Sequence, residues 1–248
     1  MASNQVDGLY TLTVPVVMAH PSLITARAFK RNGQEKGEPK FGASFIFDPE
    51  SVDIKAMKAK AVAVAAAKWP GRQCAAESKV TFKDETVDGQ VVKVKVNPTF
   101  KFPFTSGDVI ADKRVEKLKK EGKEDDKKGD FQRGKVVVKT ASKFAPRLAV
   151  IVNGKPTDLT EDTTKAHSSK FYFGVKVLAQ FNFVPYDKVG EDGTDGVTVY
   201  LNSVLSLNTG EKLSSGGQSA AETFKGYVGQ ASEEDPTAGT GADNVEDI

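Results

Sequence analysis

The sequence contains one cysteine, two histidines and one tryptophan in 248 residues. Cys74 has no partner within the chain, which excludes an intramolecular disulfide framework and agrees with a reducing compartment. No apolar run approaches the roughly 20 residues that a membrane-spanning helix needs. Residues 1–8 lack the basic and then apolar layout of a signal peptide. We therefore expect a cytoplasmic protein that is not associated with a membrane.

Signatures of catalysis are also scarce. His20 and His167 stand in no metal-ligand spacing with a cysteine or a carboxylate. The chain has no glycine-rich phosphate loop, no dinucleotide fingerprint and no Gly-x-Ser-x-Gly motif. Asp125, Asp126 and Asp130 are interleaved with lysines, a pattern more typical of solvated charge than of a magnesium site. We predict that the protein is not an enzyme and needs neither metal nor cofactor, although a metal-dependent nuclease can hide in scattered acids.

Positively charged residues are missing from the end of the chain. Residues 226–248 contain no lysine or arginine and six acids, whereas the whole chain carries a net charge of +2. Setting those six acids apart leaves +8 on residues 1–225. A basic body suits a polyanionic partner, and an acidic tail is a segment that can compete for the same surface.

The longest alternating stretch covers residues 171–186. One of its faces is apolar throughout, whereas the other mixes aromatic, amide and cationic side chains. Because successive side chains of a strand point to opposite sides, this predicts one long strand with a buried and a solvated face. Such a strand usually curls, and Gly174 is where it would bend from one side of a barrel to the other. The apolar face comprises Phe171, Phe173, Val175, Val177, Ala179, Phe181 and Phe183.

The remaining chain supports a mainly β protein. Asp48 and Pro49 begin a helical pattern that Trp69 and Pro70 end, and this is the one packed helix that we predict. Residues 105–133 have room for one or two helical turns but too few apolar anchors to pack, and we expect a mobile charged excursion from the barrel. Further strands are predicted at 9–18, 22–30, 41–47, 79–83, 91–96, 134–152 with a break at Pro146, and 196–207.

A nucleic-acid-binding surface is the function that these residues favour. Proteins that bind single strands without sequence preference combine cations for the phosphates with flat side chains for the bases. Lys135, Lys139, Lys143 and Arg147 recur every four residues, which places them on one face of an extended segment. The predicted DNA-contacting residues are Lys101, Phe102, Lys135, Lys139, Lys143, Arg147, Tyr172 and Lys176.

Each of these assignments has a structural alternative. The lysine row is also what keeps an edge strand soluble. Tyr172 is equally well interpreted as a residue at the rim of a strand. We expect Phe144 and the odd-numbered phenylalanines of residues 171–183 to lie in the core.

The acidic tail is predicted to be disordered and to occupy the basic groove when DNA is absent. Once released, its acids and its apolar last residue are suited to a basic, hydrophobic pocket on a partner protein. The alternative is an ordinary disordered terminus. The tail residues assigned to partner binding are Glu233, Glu234, Asp235, Asp243, Glu246, Asp247 and Ile248.

The order of several segments resembles a family of bacteriophage single-stranded DNA-binding proteins. The similar segments are 41–49 with the helix to Trp69, then 106–108, 143–147, 171–175, 183–187, 196–207 and the acidic terminus. The resemblance implies an OB-type barrel over residues 1–225 and a flexible tail over 226–248. It also implies that the protein coats single-stranded DNA during phage DNA replication or recombination in the infected bacterial cell. The tail would then contact phage or host replication proteins.

Two other functions fit the residues. One is a phage recombination or nuclease-associated factor with weak metal-dependent activity, and the other is a structural virion protein. The chain also leaves open whether the protein forms a homo-oligomer.

Overall fold

The computed structural model describes residues 6–31, 34–70, 81–87, 89–96, 100–124, 127, 129–187 and 194–213. The strands are β1 (Leu9–Thr11), β2 (Val16–Arg31), β3 (Gln34–Phe47), β4 (Thr81–Val87), β5 (Gln90–Val96), β6 (Phe104–Ser106), β7 (Val136–Lys139), β8 (Arg147–Val152), β9 (Lys155–Asp158), β10 (Lys176–Tyr186) and β11 (Gly196–Thr209). The helices are α1 (Val52–Lys68), α2 (Gly107–Lys120) and α3 (Glu161–Ala166). No helix in these described ranges is both long and apolar enough to cross a membrane.

The main sheet closes into a barrel. The antiparallel pairs β2–β3, β3–β7, β10–β11 and β10–β2 are joined by a parallel pair between β8 and β11. Because β7 and β8 are two parts of one interrupted strand, five strands complete the circle, as in an OB-type barrel. The chain before β6 adds a second closure, since the amide of Lys101 donates to the carbonyl of Asp195 at 2.9 Å and its carbonyl accepts from Val197 at 2.8 Å.

Alternation along β10 builds the core. Its inward side chains are buried from Val177 to Phe183, and the ring of Phe181 meets that of Phe45 edge-on at 4.9 Å between centroids. Burying apolar surface of this kind is the main stabilising contribution to such a barrel. The prediction of a mainly β barrel is therefore confirmed.

The first turn of α1 secures the chain between β1 and β2. Asp53 is fully buried, and its carboxylate accepts hydrogen bonds from the Tyr10 hydroxyl at 2.7 Å and the Thr13 hydroxyl at 2.8 Å. The backbone amides of Thr13 and Val14 also donate to it. Burial alone would raise the pKa of Asp53, but the hydrogen bonds from Tyr10, Val14 and Thr13 outweigh it and hold the pKa below its usual value.

The described part of the charged region 105–133 contains more regular structure than its composition predicts. Residues 107–120 form α2, about four turns long, which is more helix than the one or two turns expected in this charged segment. The Ser106 side chain caps its first turn by accepting from the amide of Asp108, and Ala111 is buried beneath it. Arg133 then binds Asp112 at 2.8 Å and Asp130 at 2.9 Å, which connects the helix to the following turn.

The long strand predicted at 171–186 begins later than expected. β10 starts at Lys176, and residues 171–175 turn sharply before it. Gly174 has a φ of 104°, and a side chain at that position would collide with the carbonyl oxygen of Glu211. Gly174 therefore belongs to the turn before β10 and does not bend a continuous strand. The predicted domain boundary at residue 225 and the tail 226–248 lie outside the described residues and stay predictions.

Candidate nucleic-acid interface

The interruption between β7 and β8 shapes the site. Thr140 is buried and exchanges hydrogen bonds with the backbone of Ala43, and Ser142 pairs with Phe41 through two backbone hydrogen bonds of 2.8 Å. Between Ser142 and Arg147 the chain leaves the sheet, and this break includes Pro146, which has no amide to donate to a strand. The link 140–146 is thus attached to β3 at its start and projects outward at its middle.

A groove lies between this link and the outward faces of β10 and β11, and we call it the basic groove. Its volume is about 660 Å³, and Lys40, Lys143 and Arg147 line it. No aspartate or glutamate occurs among the described residues of its lining. Lys40, Lys143 and Arg147 together make a surface that attracts phosphate groups, although Lys143 also pairs with Glu38 beside the groove.

Two aromatic rings border the basic groove. Phe144 is 82% exposed, and its amide donates to the Ser142 hydroxyl at 3.0 Å. Tyr200 on β11 is 39% exposed and lines the same groove. A large apolar ring held this far into solvent has lost contact with the core and is available for stacking.

Amide side chains cover the floor of the basic groove. Gln180 and Asn182 project from β10, and Asn202 projects from β11. The Gln180 amide donates to the Thr11 hydroxyl at 3.1 Å, which orients it across the strand pair. Amides both donate and accept hydrogen bonds, so this floor suits polar groups of varied identity.

A second groove adjoins the first on the outer face of β2, β3 and β7. Arg27, Lys139 and His20 line it together with Lys40 and Ala141, which also line the basic groove. Glu38 is the one acid among its described lining residues, and its carboxylate lies 2.5 Å from the Lys143 ammonium group. The hydrogen bond from Lys143 lowers the pKa of Glu38.

The predicted lysine row does not form one face. The segment is extended only in β7 and β8, and the break at residues 140–146 interrupts the four-residue periodicity. Lys143 and Arg147 meet in the basic groove, Lys139 lies in the second groove, and Lys135 binds Asp48 at 3.2 Å.

Lys176, Tyr172 and Lys101, three further predicted contacts, also lie outside the lining of the basic groove. Lys135 and Lys176 line a separate, largely apolar groove that also contains acids. Tyr172 is half-buried, packs against the core and donates its hydroxyl to the carbonyl of Gly210 at 2.9 Å. The Lys101 side chain is exposed, while its backbone closes the barrel.

The prediction that Phe102 stacks on bases is wrong. Only 6% of Phe102 is exposed, and it packs with Phe100 at 6.4 Å between ring centroids. The loop that contains them turns its phenylalanines into the barrel, because β6 joins β7 directly afterwards. The prediction that Phe144 lies in the core is also wrong. The link 140–146 carries this residue away from the sheet and into solvent.

Sequence reasoning missed Lys40, Phe144 and Tyr200 as site residues. Tyr200 was detectable, because it alternates with the buried Val199 and Leu201. Lys40 is the last residue of the polar segment 31–40, and no sequence feature marks it as a DNA-contacting residue. The tail residues 233–235, 243 and 246–248 lie outside the described residues. Within the described ranges, no group of three or more His, Cys, Asp or Glu side chains is placed to hold a metal ion.

A model of one protein family matches most of this chain. The family described as Enterobacter phage Enc34, ssDNA-binding protein matches residues 12–237 of this chain. No curated protein matches.

Solved phage structures are also similar. The Enc34 single-stranded DNA-binding protein in complex with ssDNA is 15% identical with a TM-score of 0.49, covering 84% of this chain and 90% of that chain. Gp2.5, a single-stranded DNA-binding protein encoded by bacteriophage T7, is 13% identical with a TM-score of 0.39, covering 88% of this chain and 99% of that chain.

Proposed function

This chain belongs to the family of the Enterobacter phage Enc34 ssDNA-binding protein, and on that premise we propose that it binds single-stranded DNA without reading its sequence. The basic groove is the surface that carries the proposal. It combines Lys40, Lys143 and Arg147 with the exposed rings of Phe144 and Tyr200, and these are the two kinds of group that such binding needs.

The chemistry of the basic groove favours the backbone and the flat faces of bases. Lysine and arginine release counterions from the phosphates, and this contribution is the same for every sequence. Phe144 and Tyr200 offer ring surface to any base, since every base has a π face. The amides of Gln180 and Asn182 have both donors and acceptors and therefore satisfy different base edges without selecting one.

A single strand fits the arrangement better than a duplex. The rings of Phe144 and Tyr200 face the same groove as the cations, so phosphates and splayed bases would be contacted together. Bases inside a duplex are stacked on each other and are not available to such rings. We therefore expect single strands to bind more tightly than duplexes.

The wider role is part of the same proposal. We propose that the protein coats single-stranded DNA during phage DNA replication or recombination in the infected cell, and that it acts without catalysis or a cofactor. The acidic tail would compete with DNA for the basic groove and recruit phage or host replication proteins. Its opposite charge to the body of the chain supports this part.

A titration with labelled oligonucleotides tests the proposal. Fluorescence anisotropy would be measured with single-stranded DNA, duplex DNA and RNA of equal length, at about 50 mM and about 200 mM salt. We expect single-stranded DNA to bind regardless of sequence, with an affinity that falls steeply at the higher salt concentration. Absence of binding, or equal binding of the duplex, would refute the proposal.

A further inference from the structure

The backbone of β2 departs from regular strand geometry at His20. Its φ is 48°, in the left-handed region that non-glycine residues seldom adopt, and the pairing register with β3 shifts between Ala19 and Ser22. A bulge of this kind re-aims a side chain, and bulges are frequent next to functional sites. The strain at His20 therefore calls for a functional explanation rather than a purely local one.

The bulge directs the His20 ring onto an aromatic stack. The imidazole lies nearly parallel to the ring of Phe173, with 4.6 Å between centroids and an interplanar angle of 28°. Phe131 meets Phe173 edge-on at 5.3 Å and so supports the stack from the side. His20 itself is exposed, so the stack presents an aromatic surface to solvent.

Of the three stacked residues, His20 is the one that lines the second groove, whose volume is about 450 Å³. Arg27 and Lys139 line the groove beside His20, and Glu38 is the acid opposite them. Partial burial of the ring against Phe173, followed by the charges of Lys139 and Arg114, lowers the pKa of His20. A neutral imidazole stacked on a phenyl ring is a flat, uncharged platform surrounded by cations.

Lys40 and Ala141 belong to the linings of both grooves, so the grooves are neighbours on the surface. A strand that leaves the basic groove past Lys40 would therefore reach the second groove. There it meets the same combination of ring and cation that Phe144 and Arg147 provide in the first.

We propose that the stack of His20, Phe173 and Phe131 is a second base-binding subsite, which takes an unpaired nucleobase on the exposed imidazole while Lys139 and Arg27 hold the adjoining phosphates. This inference rests on the proposed function, because it extends the path of the same single strand. It adds a defined stacking position that is separate from Phe144 and Tyr200.

His20→Asn is the variant that tests the subsite. Asparagine tolerates the left-handed backbone of residue 20 but removes the ring. His167→Asn is the matched control, since His167 ends α3 and lines neither groove. At about pH 8 a histidine of lowered pKa is neutral, so the substitution removes stacking surface and not charge.

Affinity would be measured with oligothymidylates of increasing length. The shortest strands that bind occupy the basic groove, and His20→Asn should bind them as the wild type does. Longer strands that reach the second groove should lose at least about fivefold in affinity, which corresponds to the loss of one stacked base. 2-Aminopurine placed at successive positions adds a direct readout, because its fluorescence is quenched by stacking, and one position should lose its quenching in His20→Asn alone.

The outcomes separate this inference from the proposed function. If the wild type binds no single strand, the proposed function fails, and this inference fails with it. If the wild type binds, but His20→Asn matches it at every length and every 2-aminopurine position, only the subsite is refuted. Should His20→Asn fold poorly, His20→Gly repeats the measurement, because glycine adopts a φ of 48° without strain.

Discussion

The Lys143 ammonium group lies 2.5 Å from the carboxylate of Glu38, so the link 140–146 is held to β3 by an ion pair beside the basic groove. Both side chains are largely exposed. An exposed pair of this kind contributes little to stability, because water and salt screen it. A phosphate group can therefore replace Glu38 as the partner of Lys143.

Glu38→Gln should tighten binding to single-stranded DNA. The substitution removes a competing negative charge and leaves Lys143 available to phosphate. We expect an increase in affinity of about two- to fivefold at low salt, which shrinks as salt rises. Anisotropy titrations at several salt concentrations measure it, with Glu161→Gln on α3 as the control. Weaker binding by Glu38→Gln would mean that the ion pair positions Lys143 rather than competing for it.

Phe144→Ala and Phe102→Ala should have opposite consequences. Phe144 is 82% exposed, so its loss should weaken binding at least about fivefold and change the free energy of unfolding by less than about 0.5 kcal/mol. Phe102 is 6% exposed, so its loss should lower the free energy of unfolding by about 3–5 kcal/mol. Denaturant unfolding and anisotropy titration of both variants check the pair. An unchanged affinity in Phe144→Ala would show that the Phe144 ring does not contact the DNA.

These two phenylalanines show what the sequence can and cannot predict. The buried face of β10 and the presence of α1 follow from local patterns and were predicted, although α1 begins at Val52 rather than at Asp48 and Ser51 makes no side-chain capping hydrogen bond. Phe102 and Phe144 each follow a lysine and precede a proline by one or two residues, so local rules cannot separate them. Their positions depend on which stretch pairs with β7 and which one leaves the sheet, and that depends on contacts distant in sequence.

The rest of the site also depends on contacts between residues that are distant in sequence. Lys40 joins Lys143 and Arg147 only because Phe41 pairs with Ser142, about one hundred residues further along. The four-residue lysine spacing assumed an uninterrupted strand, and Pro146 already indicated a break. α2 is longer than the one or two turns expected, and two of its contacts are the Ser106 cap and an ion pair with Arg133, which lies outside the helix.

Asp53→Asn should destabilise the fold. The buried carboxylate accepts from Tyr10, Thr13 and Val14, and hydrogen bonds to a charged group are stronger than those to a neutral one. We expect the free energy of unfolding to fall by about 2–3 kcal/mol at neutral pH. Asp162→Asn in the first turn of α3 is exposed and should change it by less than about 0.5 kcal/mol.

The effect of Asp53 should depend on pH. Its folded-state pKa is lower than its unfolded-state pKa, so the carboxylate stabilises the fold at pH values above the unfolded value of about 3.9. That stabilisation is lost as the pH falls through the folded-state pKa. Thermal unfolding of Asp53→Asn and wild type should therefore differ at neutral pH and converge in strong acid. A difference that is constant with pH would mean that shape and not charge matters at residue 53.

Removing residues 229–248 should tighten binding to single-stranded DNA, most clearly at low salt. The segment contains six acids, which would no longer compete with phosphate for the basic groove. A full-length variant with those six acids changed to their amides should behave like the truncated chain. Equal affinities for the truncated chain, the amide variant and the wild type would exclude competition between the tail and DNA.

The central claim is that Lys143 and Arg147 hold the phosphates of a single strand, and the salt dependence of binding tests it most directly. The logarithm of the association constant would be followed against the logarithm of salt concentration for Lys143→Glu/Arg147→Glu and for the control Lys155→Glu/Lys165→Glu, whose lysines are exposed and line neither groove. We predict that the first variant binds all sequences more weakly and has a slope shallower by about 1.4, since each phosphate contact on a single strand contributes about 0.7. The control should match the wild type. An unchanged slope in the groove variant, or the same loss in both variants, would contradict the account.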